Sequence, residues 1–426
     1  MAKENMSKLE KLIQQYCPDG VEWKALYSIT KQFSGMTGVS NKWAEEGNCV
    51  FIDYNNVYNH TSVDTTALKK ATVKSLKQNT LKKGDILFTS ASETPDECAL
   101  SSVIEKDVPD GVFLDDHLFG LRLLDEYSSV ISPSYLKYAF RSEQFRFQIK
   151  KVVRGATRHY VSKVDFMKLE IPVPPLPVQE EIVRILDAFT ELQAELQAEL
   201  QKRKQQYNFY RDNLLTNYTS EQNVKEYCLG ELFEFKNGLN ASKEQFGHGK
   251  PIVNYVNVYK KNSIVSSDLT GRVELEASAI ERYRGKRGDV FFTRTSETRE
   301  EVGFASVLLE NIEDCVFSGF VLRARPITNF ILPEFCKYCF ATYKIRKQII
   351  QSSTLTTRAL TNGTSLSKVK IMIPPIEEQN RIVAILDRFD TLTNDLASGL
   401  PAEMEKRRQQ YEFYRDKLLT FKRKEA

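Results

Sequence analysis

The sequence predicts an α+β protein in which two tandem copies of a mixed α/β globule are joined by long helices. Two observations lead there. Blocks of matching sequence recur in the same order in both halves of the 426-residue chain, and such a recurrence marks a duplicated unit. Each copy also ends on an extended amphipathic stretch, residues 175–220 and 375–426. A helix over most of the first stretch would reach about 60 Å at 1.5 Å per residue, too long to lie inside one small globule. It needs a partner, and the second copy supplies one.

The repeat is read directly from the chain. Residues 82–94, KKGDILFTSASET, match 286–298, KRGDVFFTRTSET. Residues 131–140, ISPSYLKYAF, match 331–340, ILPEFCKYCF. IPVPPLPVQEEIVRILD (171–187) matches IMIPPIEEQNRIVAILD (371–387), and KRKQQYNFYRDNLLT (202–216) matches KRRQQYEFYRDKLLT (406–420). Ile86–Thr89 and Val290–Thr293 follow Gly-Asp turns and read as strands. Residues 134–151 and 334–351 read as one helix each. Prolines 172–177 and 374–375 end the globules and start the long helices.

Along the first long helix Ile182, Leu186, Phe189, Leu192, Leu196, Leu200, Tyr207, Tyr210 and Leu214 recur mostly at three- and four-residue spacing. Its counterpart carries Ile382, Leu386, Phe389, Leu392, Leu396, Met404, Tyr411, Tyr414 and Leu418, interrupted by Ser398-Gly399-Leu400-Pro401. Gly and Pro there predict a kink or break. The first helix instead contains the four-residue repeat ELQA-ELQA-ELQK (191–202). One repeat changes a helix by about 6 Å while keeping leucine near one face.

Composition excludes several classes. A hydrophobic content of 41% with 27% charged residues is that of a globular protein. No apolar run is long enough to span a bilayer, and the polar start of the chain carries no secretory signal, so a cytoplasmic location is expected. Seven scattered cysteines fit a reducing compartment. The pair Cys336/Cys339 fits one face of a helix better than a metal site, and the four histidines form no ligand set. No phosphate-binding loop, dinucleotide fingerprint or nucleophile–base constellation is present, nor is the Asn/Asp-Pro-Pro-aromatic motif with which an amino-methyltransferase would hold an extruded base. Asp115-Asp116-His117 reads as a solvated turn. The chain is therefore expected not to be an enzyme, with no metal and no cofactor of its own.

Net charge, at +4, decides nothing, but its distribution does. Residues 137–164 hold Lys137, Arg141, Arg146, Lys150, Lys151, Arg154, Arg158 and Lys163 against Glu143 alone. Residues 335–370 hold Lys337, Lys344, Arg346, Lys347, Arg358, Lys368 and Lys370 and no acid. A single basic run is usually a solvated face. Its presence in both copies tips the reading toward nucleic acid. Ser92-Glu93-Thr94 and Ser296-Glu297-Thr298, following Arg294, either touch DNA or cap a strand end, and both readings stand. Tyr54-Asn55-Asn56 and Tyr255-Val256-Asn257 lie where the copies are read as divergent, as two readers of different sequences would require.

The motif PP-L/I-x-x-Q-x-x-I-V-x-I-L-D (Pro174 to Asp187, Pro374 to Asp387) and the closing Q-Q-Y-x-F-Y-R-D-x-L-L-T (Gln205 to Thr216, Gln409 to Thr420) resemble the DNA-specificity subunit of type I restriction–modification systems. LEKLIQQYCPDGVEWKAL near the N-terminus is similar to that family's start, and the resemblance covers essentially the whole chain. It implies an N-terminal helical segment (1–20), target-recognition domains at 21–174 and 221–374, a central helix (175–220) and a distal helix with a tail (375–426). The two helices would pair as an antiparallel coiled coil. Each domain would read one half of a split site in double-stranded DNA. Two methyltransferase subunits, carrying S-adenosylmethionine, would dock on the helices and methylate adenine, and two motor–nuclease subunits, using ATP and Mg, can join. A DNA-free protein scaffold, or a specificity module serving another phage-defence methyltransferase, are the competing readings.

Overall fold

The computed structural model describes residues 7–218, 223–259, 261–394 and 398–425. Leu396 of the distal stripe lies outside them. The chain forms two compact units, residues 1–195 with 404–426, and residues 196–403. The 41-residue helix Leu176–Thr216 thus begins in the first unit and ends in the second.

Both units are built on an antiparallel sheet of the same connectivity. In unit 1 its strands run Thr30–Ser34, Leu118–Leu123, Ile86–Thr89, Ser101–Val103 across the sheet. In unit 2 the order is Phe233–Asn237, Val321–Pro326, Val290–Thr293, Ala305–Leu308, with Ser263–Ile264 added at the edge in parallel. Ile86–Thr89 and Val290–Thr293 are buried at every position, as strands covered on both faces must be. The Gly-Asp turns before them are structural devices. Gly84 and Gly288 take φ of +89° and +93°, where a side chain would be strained. Asp85 accepts the Lys82 amide and a two-pronged bond from Arg122. Asp289 does the same with Lys286 and Arg325.

The stretches expected as single helices are each two: Pro133–Ala139 with Glu143–Val152, and Pro333–Cys339 with Tyr343–Ser352. The break has the same cause in both. The hydroxyls of Ser142 and Thr342 donate back to the carbonyls of Ala139 and Cys339, ending one helix as the next begins. Cys336 and Cys339 are buried in the core of unit 2.

The long helices are joined to their globules by one glutamine each. Gln179 donates to the carbonyls of Val130 and Pro174 and accepts the Ser132 amide. Gln379 repeats this with Phe330, Pro374 and Leu332. Both side chains are fully buried. The next turns then enter the globular cores, which corrects the expectation for four residues. Ile182, Leu186, Ile382 and Leu386 are wholly buried among domain residues such as Tyr135 and Phe335. They belong to cores that the globule shares with both long helices, Tyr411 and Leu418 joining in unit 1 and Tyr207 and Leu215 in unit 2, and they present no exposed face for docking.

Helix pairing is carried by aromatics further along. In unit 1 Phe189 stacks on Tyr414 at 5.5 Å, and Tyr411 packs against the domain core. In unit 2 Tyr210 stacks on Phe389 at 5.5 Å while Tyr207 is buried. Leu192 and Leu196 are half-buried, whereas Leu392 is exposed and Thr393 takes the buried place. The expected interruption is present: helix Ile376–Asn394 stops and helix Leu400–Leu418 begins, with Pro401 in its first turn.

Two stability predictions follow from these contacts. Gln179→Leu or Gln379→Leu would strand two buried carbonyls and an amide, costing about 2–4 kcal/mol; for a unit of this size calorimetry should find Tm lower by roughly 4–16 °C. Glu181, almost fully buried, is held down to about 2 by Arg184 first and then Lys8. Its contribution is complete above an unfolded value of about 4.3 and disappears as pH falls toward 2. Glu181→Gln should lower Tm at pH 7 and leave a shallower acid limb in a Tm-versus-pH series.

Candidate nucleic-acid interface

In unit 1 a hairpin of Val153-Arg154 and His159–Val161 forms a small sheet with Ala91-Ser92. Ser92 pairs with His159 and Ala91 with Tyr160. The tip, residues 155–158, depends on Gly155 at φ +98°, where an added Cβ would fall 2.1 Å from the Arg158 carbonyl. Tyr54 is tied to the same sheet, its hydroxyl donating to the Ala91 carbonyl at 3.0 Å. Burial raises the Tyr54 phenol above its ordinary range, opposed by Thr89 and by nearby Arg158. Tyr54, Asn55, Ser92, Arg154 and Arg158 are thereby brought to one neighbourhood. Arg154 pairs with Asp165 and Lys150 with Asp96, while Lys151 lies over the Phe147 ring.

Unit 2 builds the same hairpin from Thr354-Leu355 and Ala359-Leu360 beside Thr295-Ser296. Arg358 pairs with Glu297 at 2.9 Å, and Arg294 donates to the Gly319 carbonyl. Lys347 lies over the Tyr343 ring. The second hairpin has one arginine fewer, Thr354 standing in the place of Arg154, and Leu355, 56% exposed, takes the place of Gly155.

Several expected contact residues are internal. Asn56 and Asn257 are 4% and 5% exposed. Asn56 exchanges bonds with the backbone of Asp64, and Asn257 holds the Asn254 amide and the Asp268 carbonyl. Both sit in matching helices, Tyr54–Asn59 and Tyr255–Val258, with Tyr54 stacked on Tyr58 in the first and Tyr255 on Tyr259, just past the end, in the second. The segments read as divergent are thus shared scaffold, differing on the surface at Asn55 and Val256. Arg346 donates to the carbonyls of Glu300, Val302 and Gly303, and Arg146 makes the equivalent set. Burial lowers the pKa of both. Ser92 and Ser296 are buried too, and Ser92 accepts the Thr94 amide, which is the strand-capping reading. Asp115 is not solvated: it is 1% exposed and bound by Lys42 at 2.9 Å, so a buried ion pair replaces the expected open turn.

Sequence reasoning missed the exposed Tyr160 of the first hairpin and the exposed Leu355 and Leu360 of the second, which no local pattern marks as surface. Among the described residues no helix is long and apolar enough to cross a membrane, and no cluster of three His, Cys, Asp or Glu side chains could hold a metal.

A sequence model of the type I restriction modification DNA specificity domain matches residues 18–203 and again 221–406. The EcoR124I/EcoR124II type I restriction enzyme specificity subunit of Escherichia coli is 34% identical over 286 residues, 63% of this chain and 67% of that one. The EcoprrI specificity subunit, also from Escherichia coli, is 29% identical over 424 residues, 92% of each chain. A solved structure from a study of complex assembly and conformational transition in the type I R-M system aligns with a TM-score of 0.65 at 15% identity, over 94% of this chain and 98% of that one. That last likeness is one of fold.

Gly155→Ala tests the hairpin. The clash with the Arg158 backbone should cost about 1–3 kcal/mol locally, seen as faster amide exchange confined to residues 153–161.

Proposed function

The chain belongs to the type I restriction–modification DNA specificity family, and from that membership we propose that each unit reads one half of a bipartite, asymmetric site in duplex DNA. The observation that carries this reading is the pair of matched hairpins with different exposed side chains. Unit 1 offers Asn55, Arg154, Arg158 and Tyr160; unit 2 offers Val256, Leu355, Arg358 and Leu360. Asn and Arg suit adenine and guanine edges, whereas exposed aliphatic groups suit the thymine methyl. Two different readers on one scaffold imply a target without palindromic symmetry.

The methyl transfer belongs to partner subunits. Two methyltransferase subunits with S-adenosylmethionine would dock along the long helices and modify adenine at N6, and motor–nuclease subunits with ATP and Mg complete a restriction complex. The rings of Phe209 and Phe413, at the same position of the repeated QQYxFYRD motif, are 64% and 62% exposed. Exposed rings of this kind are suited to anchor an interface.

The test is co-expression with a cognate methyltransferase in a methylation-free host, followed by genome-wide mapping of N6-methyladenine. One split motif dependent on this chain is expected. Arg158→Ala should reduce methylation by relaxing one half-site alone, at a cost of about 1–3 kcal/mol. Deleting residues 195–198 removes about 6 Å of helix, so at ~3.4 Å per base pair the unread spacer should shorten by about one or two base pairs. A stable complex that leaves the genome unmethylated, or a spacer unmoved by the deletion, would count against the reading.

A further inference from the structure

The duplicated units differ at the turn between their paired short helices: Phe140-Arg141-Ser142 in unit 1, Phe340-Ala341-Thr342 in unit 2. Arg141 turns inward. Its Nε donates to the Ser101 carbonyl at 2.9 Å, and Nη2 donates to that carbonyl and to the His60 carbonyl. Strand register identifies the counterparts of these acceptors. Ser101 pairs with Phe88 as Ala305 pairs with Phe292. Val103 bonds the Thr61 carbonyl as Val307 bonds that of Asn262, so His60 corresponds to Lys261. In unit 2, with alanine at 341, a cleft of about 640 Å³ opens, and Ala305, Lys261 and Ala341 all line it.

We propose that this cleft is a binding site for a guanidinium group, which would take the place that Arg141 fills in the first unit. The cations in its wall are already engaged and do not call for an anion. Arg346 is bound to three carbonyls, Arg211 pairs with Asp212, and Lys261 pairs with Asp268. Arg146 and Arg415 stand near Arg141 in unit 1, so the matching pair Arg346 and Arg211 does not forbid a guanidinium here. The wall has also gained a carboxylate. The lysine of each unit bridges two acids, Glu105 and Asp187 for Lys137, Asp387 and Asp390 for Lys337. Asp390 accepts one bond at each oxygen, from Lys337 and from the Asn394 amide, which leaves a carboxylate with further acceptor capacity on the cleft wall, with Tyr207 and Phe340 as aromatic surfaces beside it. A planar fork that donates to carbonyls and lies against rings is what a guanidinium provides.

Calorimetric titration of the full-length chain with agmatine tests the site. Saturable one-to-one binding is expected, at least ten-fold weaker for n-butylamine, which lacks the fork. Ala341→Arg should abolish it, Ala341→Gln should weaken it at least ten-fold, and Arg141→Ala should add a second site. No saturable agmatine binding, binding unchanged in both Ala341 variants, or inorganic phosphate held in preference would each overturn the proposal. The source of the group is separated by affinity for the methyltransferase subunit, an arm that rests on the functional reading above. A ten-fold loss on Ala341→Arg assigns the group to an arginine of that subunit. Unchanged association together with lost agmatine binding assigns it to a free small molecule.

Discussion

One buried glutamine per unit holds the rest in place. Gln179 and Gln379 each join three chain segments: the loop before the short helix pair, the proline turn, and the first turn of the long helix. Because the glutamine amides are fully buried, their donors and acceptors must be paired or the arrangement loses several kcal/mol. The long helix therefore leaves its globule in a set direction. The side chains that follow, Ile182 and Leu186 or Ile382 and Leu386, complete the core of the same globule. The first turns of each long helix are thus built into its globule, and a hairpin carried by the globule has a defined position on that stretch of helix.

The duplication separates scaffold from surface. What the copies share lies inside: Asp85 with Arg122 and Asp289 with Arg325, the inward Arg146 and Arg346, the buried Asn56 and Asn257. Apart from the inward Arg141 against Ala341, the differences named above lie outside, at Arg154 against Thr354, Gly155 against Leu355, Tyr160 against Leu360 and Asn55 against Val256. A fold of this kind can exchange its exposed side chains while its hydrogen-bonded interior is left alone, since surface changes away from caps and cores cost little stability.

How much of this was legible depends on the length scale of the signal. The duplication, the strands after the Gly-Asp turns, the long helices and the break near Pro401 announce themselves through repeated blocks, turn chemistry and periodicity. The split at Ser142 and Thr342 did not, because a hydroxyl that bends back onto a carbonyl looks like any polar residue within a helical pattern. Asn56 and Asp115 were misplaced for a related reason: burial of a polar group depends on distant partners, the Asp64 backbone and Lys42. Leu355 and Leu360 failed in the opposite direction, since an aliphatic residue in a sequence reads as core until a hairpin carries it into solvent.

The basic stretches show why charge counted along a chain overstates a binding face. Of the cations in residues 137–164, Lys137, Arg141 and Arg146 are spent on internal acceptors; Lys337 and Arg346 are spent likewise in unit 2. Even at the tips Arg154 and Arg358 have carboxylate partners. Phosphate neutralisation, which supplies most non-specific affinity, grows with the number of free cations. A charge count along the chain must therefore be reduced by the internally bound cations before it is read as a footprint, and what remains at the first hairpin tip is the exposed Arg158.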